Sequence, residues 1–333
     1  MSLAPSPSND PTADVVAFDP AFADTAMLDE LRRTDYSRLD ADRHVYLDYT
    51  GGGLYADSQV RAHAELLSKH VLGNPHSANP SSSDATALVE GARRAVLRYF
   101  NAGDRYTAIF TLNASGALKL IGESFPFTDA SHLLMAFDNH NSVNGIREFA
   151  KAKGAAFTYA PLTTPDLRLD LAALRPLLAA ANREAANLFA FPAQSNFSGV
   201  QHPLSLVEEA RRSGWRVLLD AAAFVPTNRL DLSIVEPDFV TISFYKMFGY
   251  PTGVGCLLVH NDALPLLKRP WFAGGTVNFA TVQGRAHILS PGEAGFEDGT
   301  LNYLAIPAVQ IGLQHLERIG IDRIHTRVHV LAG

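Results

Sequence analysis

The sequence predicts an α/β fold in which a mostly parallel, seven-stranded sheet carries helices on both faces. The first observation is a regular alternation of amphipathic helical runs and short β-rich runs through most of the chain. The second is that several β-rich runs are followed at once by polar side chains, as in folds that bind ligands at the carboxyl ends of parallel strands. The chain has 333 residues, enough for one large α/β domain and part of a second.

The N-terminal part of the chain differs in composition from the rest. Residues 1–14 are rich in Pro, Ser and Asp, so we expect a disordered lead. Residues 15–55 form an N-terminal segment, with apolar side chains at helical spacing over 20–33 and a short strand over 45–48. The three glycines at 51–53 predict a loop in which the backbone comes close to another group of unspecified kind, and a simple flexible turn is the alternative.

The large domain is expected to span residues 56–303, and residues 304–333 to form linking helices and the start of an incomplete C-terminal small domain. Strands are expected at 106–111, 132–137, 156–160, 187–191, 215–219, 239–243 and 254–259. Helices are expected at 85–100, 117–123, 143–153, 171–181, 204–213, 307–316 and 324–330.

Composition argues against several functional classes. The net charge is −6 and the basic residues are scattered, so no surface for nucleic acid or anionic lipid is evident. The chain has one Cys, no apolar stretch of about 18 residues and no basic-then-apolar leader. We therefore expect a cytoplasmic protein with a small-molecule substrate. His325 and His329 lie one helical turn apart, but no third ligand is evident and we expect no metal site.

Lys246 and Asp220 are the two residues that carry most information about chemistry. An amine in an apolar setting has its pKa lowered toward neutrality and can form a Schiff base with an aldehyde. Asp220 closes an apolar run 26 residues before Lys246. A buried carboxylate of this kind keeps the ring nitrogen of pyridoxal 5'-phosphate (PLP) protonated. A solvated surface amine and a buried helix N-cap are the alternatives, but together the two residues predict a PLP enzyme acting on an amino acid.

Several motifs in order along the chain resemble the class V aminotransferase-fold family, and more closely the cysteine-desulfurase-like N-terminal domain of molybdenum cofactor sulfurases. The segments that carry the resemblance are Tyr46–Asp48, Gly73–Ser77, Gln194–Gly199, Leu219–Ala222, Ser243–Lys246, Gly274–Thr276 and Phe296–Thr300. The resemblance implies a PLP-dependent transferase fold (fold type I), PLP as cofactor and a homodimer.

The resemblance also implies roles for individual side chains around the cofactor. Ala114 and Ser115 lie in the turn that cradles the phosphate, where a helix N-terminus offers N–H groups. Ser243 corresponds to a second phosphate-binding hydroxyl, and Tyr245 replaces a His that often precedes the Lys. The Leu112-Asn113 pair departs from the usual Ser, Gly and Thr run of this turn.

Three further positions complete the implied site. His140 matches the His that stacks on the pyridine ring and can carry protons. Asn196 matches the residue that hydrogen-bonds the ring oxygen, and Ala223 stands where desulfurases commonly have Gln. Thr276, in Gly274-Gly275-Thr276, resembles the segment that reaches the partner subunit's cofactor; an ordinary glycine turn is the alternative.

The cysteine nucleophile of a desulfurase has no counterpart in this sequence. Cys256 is the only Cys, and it lies in an apolar β-rich run where a mobile thiolate is out of place. The family's reactive Cys and its carboxylate-binding Arg belong to a C-terminal domain, so the chain is expected to be truncated relative to the family. Sulfur mobilisation from cysteine is the first hypothesis. The alternatives are another PLP lyase, aminotransferase or epimerase, and a catalytically silent PLP-fold protein.

Overall fold

A computed structural model of the chain describes residues 15–16, 18–75 and 77–332. The lead predicted at 1–14 and the His76 of the Gly73–Ser77 motif lie outside the described residues. The α-helices are α1 (Met27–Asp35), α2 (Arg38–Ala41), α3 (Asp57–Lys69), α4 (Pro80–Tyr99), α5 (Ala114–Ser124), α6 (Asn141–Asn144), α7 (Ile146–Ala152), α8 (Leu171–Ala179), α9 (Leu206–Arg212), α10 (Phe244–Phe248), α11 (Pro307–Ile319) and α12 (Ile321–Ala332). The 3-10 helices are Pro20–Thr25, Gly103–Arg105, Leu264–Leu266 and Gly292–Gly295.

The main sheet has seven strands in the order β1-β7-β6-β5-β4-β2-β3. The strands are β1 (Tyr106–Thr111), β2 (His132–Ala136), β3 (Ala156–Ala160), β4 (Asn187–Pro192), β5 (Trp215–Asp220), β6 (Phe239–Ser243) and β7 (Gly255–His260), and a separate hairpin is formed by β8 (Val277–Ala280) and β9 (His287–Leu289). β7 runs antiparallel to both of its neighbours, and the other pairs are parallel. The predicted seven-stranded, mostly parallel sheet is confirmed.

Strand residues alternate between two apolar clusters, one on each face of the sheet. In β4, Phe189 and Phe191 belong to one cluster, and Leu188 and Ala190 belong to the other. Helices cover both faces, and this explains why the central strands are buried along their whole length and read as continuous apolar runs. The sheet is therefore a rigid platform, and its carboxyl-end loops can be held in fixed positions.

Parts of the sequence prediction are wrong in detail. Residues 45–48 do not form a strand: they are irregular and exposed, apart from a half-buried Tyr46. The single helix predicted over 20–33 is divided into a 3-10 turn and α1, and the one predicted over 143–153 is divided at Gly145 into α6 and α7.

The glycine loop at 51–53 makes the close backbone approach that the sequence predicts. Gly53 donates its N–H to the Tyr245 carbonyl oxygen over 2.9 Å. A Cβ at Gly53 would lie 2.9 Å from the Lys246 carbonyl oxygen, closer than ordinary packing allows. The absence of a side chain at this position lets the N-terminal segment pack on α10, which carries Lys246. Among the described residues, no helix is long and apolar enough to cross a membrane.

Candidate functional site

The candidate site lies at the carboxyl edge of the sheet, where loops from four parallel strands meet. His140 follows β2, Asn196 follows β4, Asp220 ends β5 and Lys246 follows β6. All four line one small chamber with a volume of about 130 Å³. Ala114, Ser115, Ser243 and Tyr245 line the same chamber. Eight of the nine residues that the sequence predicted for the site are thus brought together.

Lys246 is held half-buried at the wall of this chamber. Its Nζ donates a hydrogen bond to the Oδ1 of Asn196 over 2.6 Å. Burial lowers the pKa of Lys246, and the negative charges of Asp220 and Asp48 partly oppose this change. A larger fraction of the amine is therefore neutral and nucleophilic than at an exposed lysine.

Asp220 is buried in the lining of the chamber, at the end of β5. Its Oδ1 accepts hydrogen bonds from the Ala222 N–H and the Thr241 hydroxyl, both over 3.1 Å. Burial raises the pKa of the Asp220 carboxyl, while these two donors and the nearby His140 and Lys246 lower it. Because both bonds end on Oδ1, the Oδ2 atom remains available to a cationic N–H group in the chamber. Asp220 is not the helix N-cap of the alternative, because among the described residues a turn and not a helix follows it, and the Ala222 N–H that it binds belongs to that turn.

The start of α5 lines the chamber through Asn113, Ala114 and Ser115. Asn113 caps this helix, because its Oδ1 accepts a hydrogen bond from the Gly116 N–H over 2.9 Å. The Ala114 N–H donates a hydrogen bond to the Ser243 hydroxyl oxygen over 3.0 Å. A Cβ at Gly255 would lie 2.5 Å from the Cα of Asn113, so only glycine lets β7 pass this turn. The hydroxyls of Ser115 and Ser243 thus line the chamber together with the N-terminus of α5. Such an arrangement is suited to a phosphate.

His140 is oriented by its own helix, α6. The Ser142 N–H donates to the Nδ1 of His140 over 3.2 Å. Nδ1 is therefore the acceptor, and a neutral ring carries its proton on Nε2. The Ser142 hydroxyl also lies 2.6 Å from the Ser115 hydroxyl. This contact joins the His140 loop to the first turn of α5.

Thr276 is the one predicted site residue that lies elsewhere. Its hydroxyl is buried and bonds the backbone of Ala273, accepting from the N–H over 2.9 Å and donating to the carbonyl over 2.8 Å. In this chain the side chain stabilises its own turn, as the glycine-turn alternative describes. The predicted contact of Thr276 with a partner subunit's cofactor stays a prediction.

A second, larger cavity of about 750 Å³ adjoins the chamber. Lys246, Asn196 and Ala223 line both spaces, so the larger cavity leads to the amine of Lys246. Its walls are mostly apolar and include Leu31 and Phe248. This cavity supplies a path and space for a substrate beside the lysine.

The chamber lining also includes residues that are not among the predicted site residues, and Ser142 and Gln194 are two of them. Neither of the two follows a strand directly or stands in an apolar run. Ser142 is significant only through its contact with Ser115, 27 positions earlier, and spacing alone does not reveal such a contact.

Cys256 lies in β7, next to the edge strand β1, and is not among the residues that line the chamber. It is completely buried in β7, and burial raises the pKa of its thiol to about 12. Both facts agree with the prediction that this Cys is a core residue. A buried thiol with a high pKa is a poor nucleophile at neutral pH.

Comparison with known proteins gives one family and a consistent set of relatives. A family model described as "Aminotransferase class-V" matches residues 45–333. The molybdenum cofactor sulfurase of Solanum lycopersicum is 39% identical, over 92% of this chain and 41% of its own length. The human molybdenum cofactor sulfurase is 38% identical, over 98% of this chain and 38% of its own length. The chain thus spans about two fifths of these curated relatives.

Solved structures are similar in fold. The apo cysteine desulfurase of Thermococcus onnurineus NA1 superposes with a TM-score of 0.81 at 24% identity, over 91% of this chain and 74% of its own. A cystine C-S lyase mutant with glycine covalently linked to its PLP cofactor superposes with a TM-score of 0.68 at 19% identity, over 82% of this chain and 71% of its own.

Proposed function

The chain belongs to the class-V aminotransferase family, and from this premise we propose that it is a PLP-dependent enzyme that mobilises sulfur from cysteine. The observation that carries the proposal is that Lys246 and Asp220 line a single chamber of about 130 Å³. An amine with a lowered pKa and a buried carboxylate are the two groups that a pyridoxal ring requires. Relatives named molybdenum cofactor sulfurase and neighbours titled cysteine desulfurase support the reaction class.

The residues around the chamber fit PLP. Lys246 would carry the cofactor through its amine, and the Oδ2 of Asp220 would pair with the ring nitrogen. Ser115, Ser243 and the N-terminus of α5 would hold the phosphate, with Tyr245 beside them. His140 would lie against the ring, and Asn196 would bind the ring oxygen in place of the Lys246 amine.

PLP, when bound, supplies an electron sink for the charge that develops at the substrate α-carbon. Lys246 is the base that can take a proton from that carbon, because it is the amine in the chamber with a lowered pKa. Asp220 stays ionised beside a positive partner, since the pair offsets the cost of its burial. The Nε2–H of His140 is a proton donor at the rim of the same chamber.

The thiol that receives sulfur is not provided by this chain. Cys256 is its only Cys, and it is buried with a raised pKa. We therefore assign to these residues the cofactor half of the reaction, in which the carbon–sulfur bond of cysteine is activated. An added thiolate would take the sulfur as a persulfide, and the carbon would gain a proton to give alanine.

The assembly and compartment belong to the same proposal. We propose a homodimer in the cytoplasm that acts on a small amino-acid substrate. Exposed apolar side chains on and beside the β8–β9 hairpin support a second copy there; they include Phe272, Phe279, Val282 and Ile288. The very low cysteine content supports a reducing compartment.

The test is to load the full chain with PLP and to add L-cysteine with dithiothreitol as the thiol. Sulfide and alanine should form in equal amounts, and Lys246→Ala should form neither. Alanine without sulfide, or turnover of other amino acids with none of cysteine, would instead indicate a different PLP reaction. A chain that binds no PLP would contradict the proposal.

A further inference from the structure

Two loops at the carboxyl edge of the sheet carry groups that face the chamber. The loop after β2 presents His140, and the loop after β4 presents Asn196. The second loop closes on itself, because the Ser195 N–H donates to the Val200 carbonyl and Gln194 bridges to Gln201. Nothing in these internal bonds sets the position of one loop relative to the other.

A buried hydrogen bond between Asp138 and His202 connects the bases of the two loops. Asp138 lies two residues before His140, and His202 follows the Asn196 loop. The His202 Nε2 donates to the Asp138 Oδ2 over 2.9 Å, with side-chain exposures of 0% and 2%. The pair does not line the chamber, so it does not touch a ligand held there.

A second bond lies beside the pair. The Ser195 hydroxyl donates to the backbone carbonyl of Asp138 over 3.4 Å. The same hydroxyl oxygen accepts the N–H groups of Phe197 and Ser198, both over 3.3 Å. Asn196 therefore lies in the chain between two residues, Ser195 and His202, that both bond Asp138.

The Asp138–His202 pair is a poor way to increase the free energy of unfolding, because it leaves buried polar atoms without partners. The Asp138 Oδ1 and the His202 Nδ1 are buried without a hydrogen-bond partner, and such atoms destabilise a fold. Apolar side chains of similar volume would fill this space without that cost. A directional bond between charged or polar groups does fix the distance and orientation of the segments that carry them.

We propose that the Asp138–His202 pair is a positioning device that holds Asn196 within hydrogen-bonding distance of Lys246. His140 and Asn196 are set relative to each other by this pair, so the amine of Lys246 meets a fixed amide oxygen. The inference deepens the proposed function, and it is tested first without cofactor so that the two can fail separately.

The test is a set of four variants of the full chain without PLP: His202→Phe, His202→Gln, Asn196→Ala and the double variant Asn196→Ala/His202→Phe. The measured quantity is the pH midpoint for acetylation of Lys246, followed by peptide mass spectrometry. His202→Phe keeps the ring shape but removes the donor, so Asn196 moves away and the charged amine loses an acceptor. The midpoint should fall by about half a pH unit or more. His202→Gln keeps a donor and should leave it near the wild-type value.

The double variant separates positioning from general destabilisation. If His202 acts through Asn196, His202→Phe should change nothing further in the Asn196→Ala background. Asp238→Asn is the matched control, because Asp238 is fully buried and binds Arg216 and the Val217 N–H at the far end of the sheet. It should lower the melting temperature without moving the Lys246 midpoint.

PLP affinity is the second readout. His202→Phe should bind PLP more weakly than wild type, whereas His202→Gln should bind it with an affinity close to that of wild type. A His202→Phe midpoint equal to wild type, or a shift that adds to that of Asn196→Ala, would overturn the inference. If wild type binds no PLP, the proposed function fails while the acetylation result still decides the role of the pair.

Discussion

The Nζ of Lys246 donates to the Oδ1 of Asn196 over 2.6 Å, across a gap of 50 positions in sequence. This bond stabilises the charged form of the amine, whereas burial favours the neutral form. Burial is the main cause of the lowered pKa of Lys246, and the Asn196 contact opposes it at the amine itself. The contribution of this contact can be tested directly.

Asn196→Asp should raise the pKa of Lys246, because a carboxylate replaces a neutral amide at hydrogen-bond distance. A rise of about one unit lowers the neutral fraction of the amine about tenfold at pH 7. The rate at which the apo chain combines with pyridoxal phosphate should fall by a similar factor and recover as the pH is raised. A rate with the wild-type pH dependence would contradict this role for Asn196.

Asp220→Asn should stabilise the apo chain and impair the enzyme. Burial raises the pKa of Asp220 above its ordinary value of 3.8, so the native state binds more protons than the unfolded state between the two values. Wild-type stability therefore decreases as the pH rises through that window. The melting temperature of Asp220→Asn should equal that of wild type near pH 4 and should be about 2 °C or more higher than that of wild type at pH 7.

The same variant should lose catalytic rate, because an amide cannot stabilise a protonated ring nitrogen as a carboxylate does. Turnover should fall by on the order of 100-fold. Thr241→Val, which removes only one hydrogen bond to Asp220, is the control and should have a much smaller effect. Full activity in Asp220→Asn would show that the carboxylate is not the ring partner.

Cys256→Ala should leave turnover of the folded enzyme within about twofold of wild type. The thiol is fully buried and its pKa is raised to about 12, so it is not a nucleophile at neutral pH. The free energy of unfolding should fall by about 1 to 2 kcal/mol through the cavity left in the core. Iodoacetamide should label Cys256 only after denaturation; loss of sulfide formation in the variant would instead make this thiol catalytic.

Arg93→Met should destabilise the fold more than the double variant Arg93→Met/Glu297→Gln. Arg93 and Glu297 form a buried bidentate pair over 2.7 and 3.1 Å, and Glu297 also accepts the Phe110 N–H over 2.7 Å. The single change leaves a buried carboxylate unpaired, at a cost of about 3 to 5 kcal/mol. Glutamine keeps the acceptor for Phe110 without the charge. Urea unfolding of both variants measures the difference, and equal losses would contradict this explanation.

The seven strands of the sheet could be predicted because they are short runs rich in apolar residues and β-formers, largely buried except in the edge strand β3. The direction of β7 could not, since apolar composition does not distinguish parallel from antiparallel pairing. Helix α3 was missed because its buried side chains, Gln59 and His63, are polar and leave no apolar periodicity. The strand predicted over 45–48 lacks a neighbouring strand, and β-rich composition alone does not supply one.

Most of the candidate site could be predicted because it follows strand ends in register with a family pattern. Ser142 and the Asp138–His202 pair could not, since their significance depends on contacts across 27 and 64 positions. The role predicted for Thr276 at a second subunit stays a prediction; within the chain its hydroxyl bonds the backbone of Ala273. The domain boundaries at 55/56 and 303/304 stay predictions.

The most direct test of the account identifies the lysine that carries PLP. The full chain is incubated with PLP, reduced with borohydride, digested and mapped by mass spectrometry. Lys246 should carry the phosphopyridoxyl group, whereas Lys153 should not: its pKa is also lowered by burial, but it binds the Glu123 and Phe125 carbonyls outside the chamber. Label on another lysine with Lys246 unmodified would contradict the account.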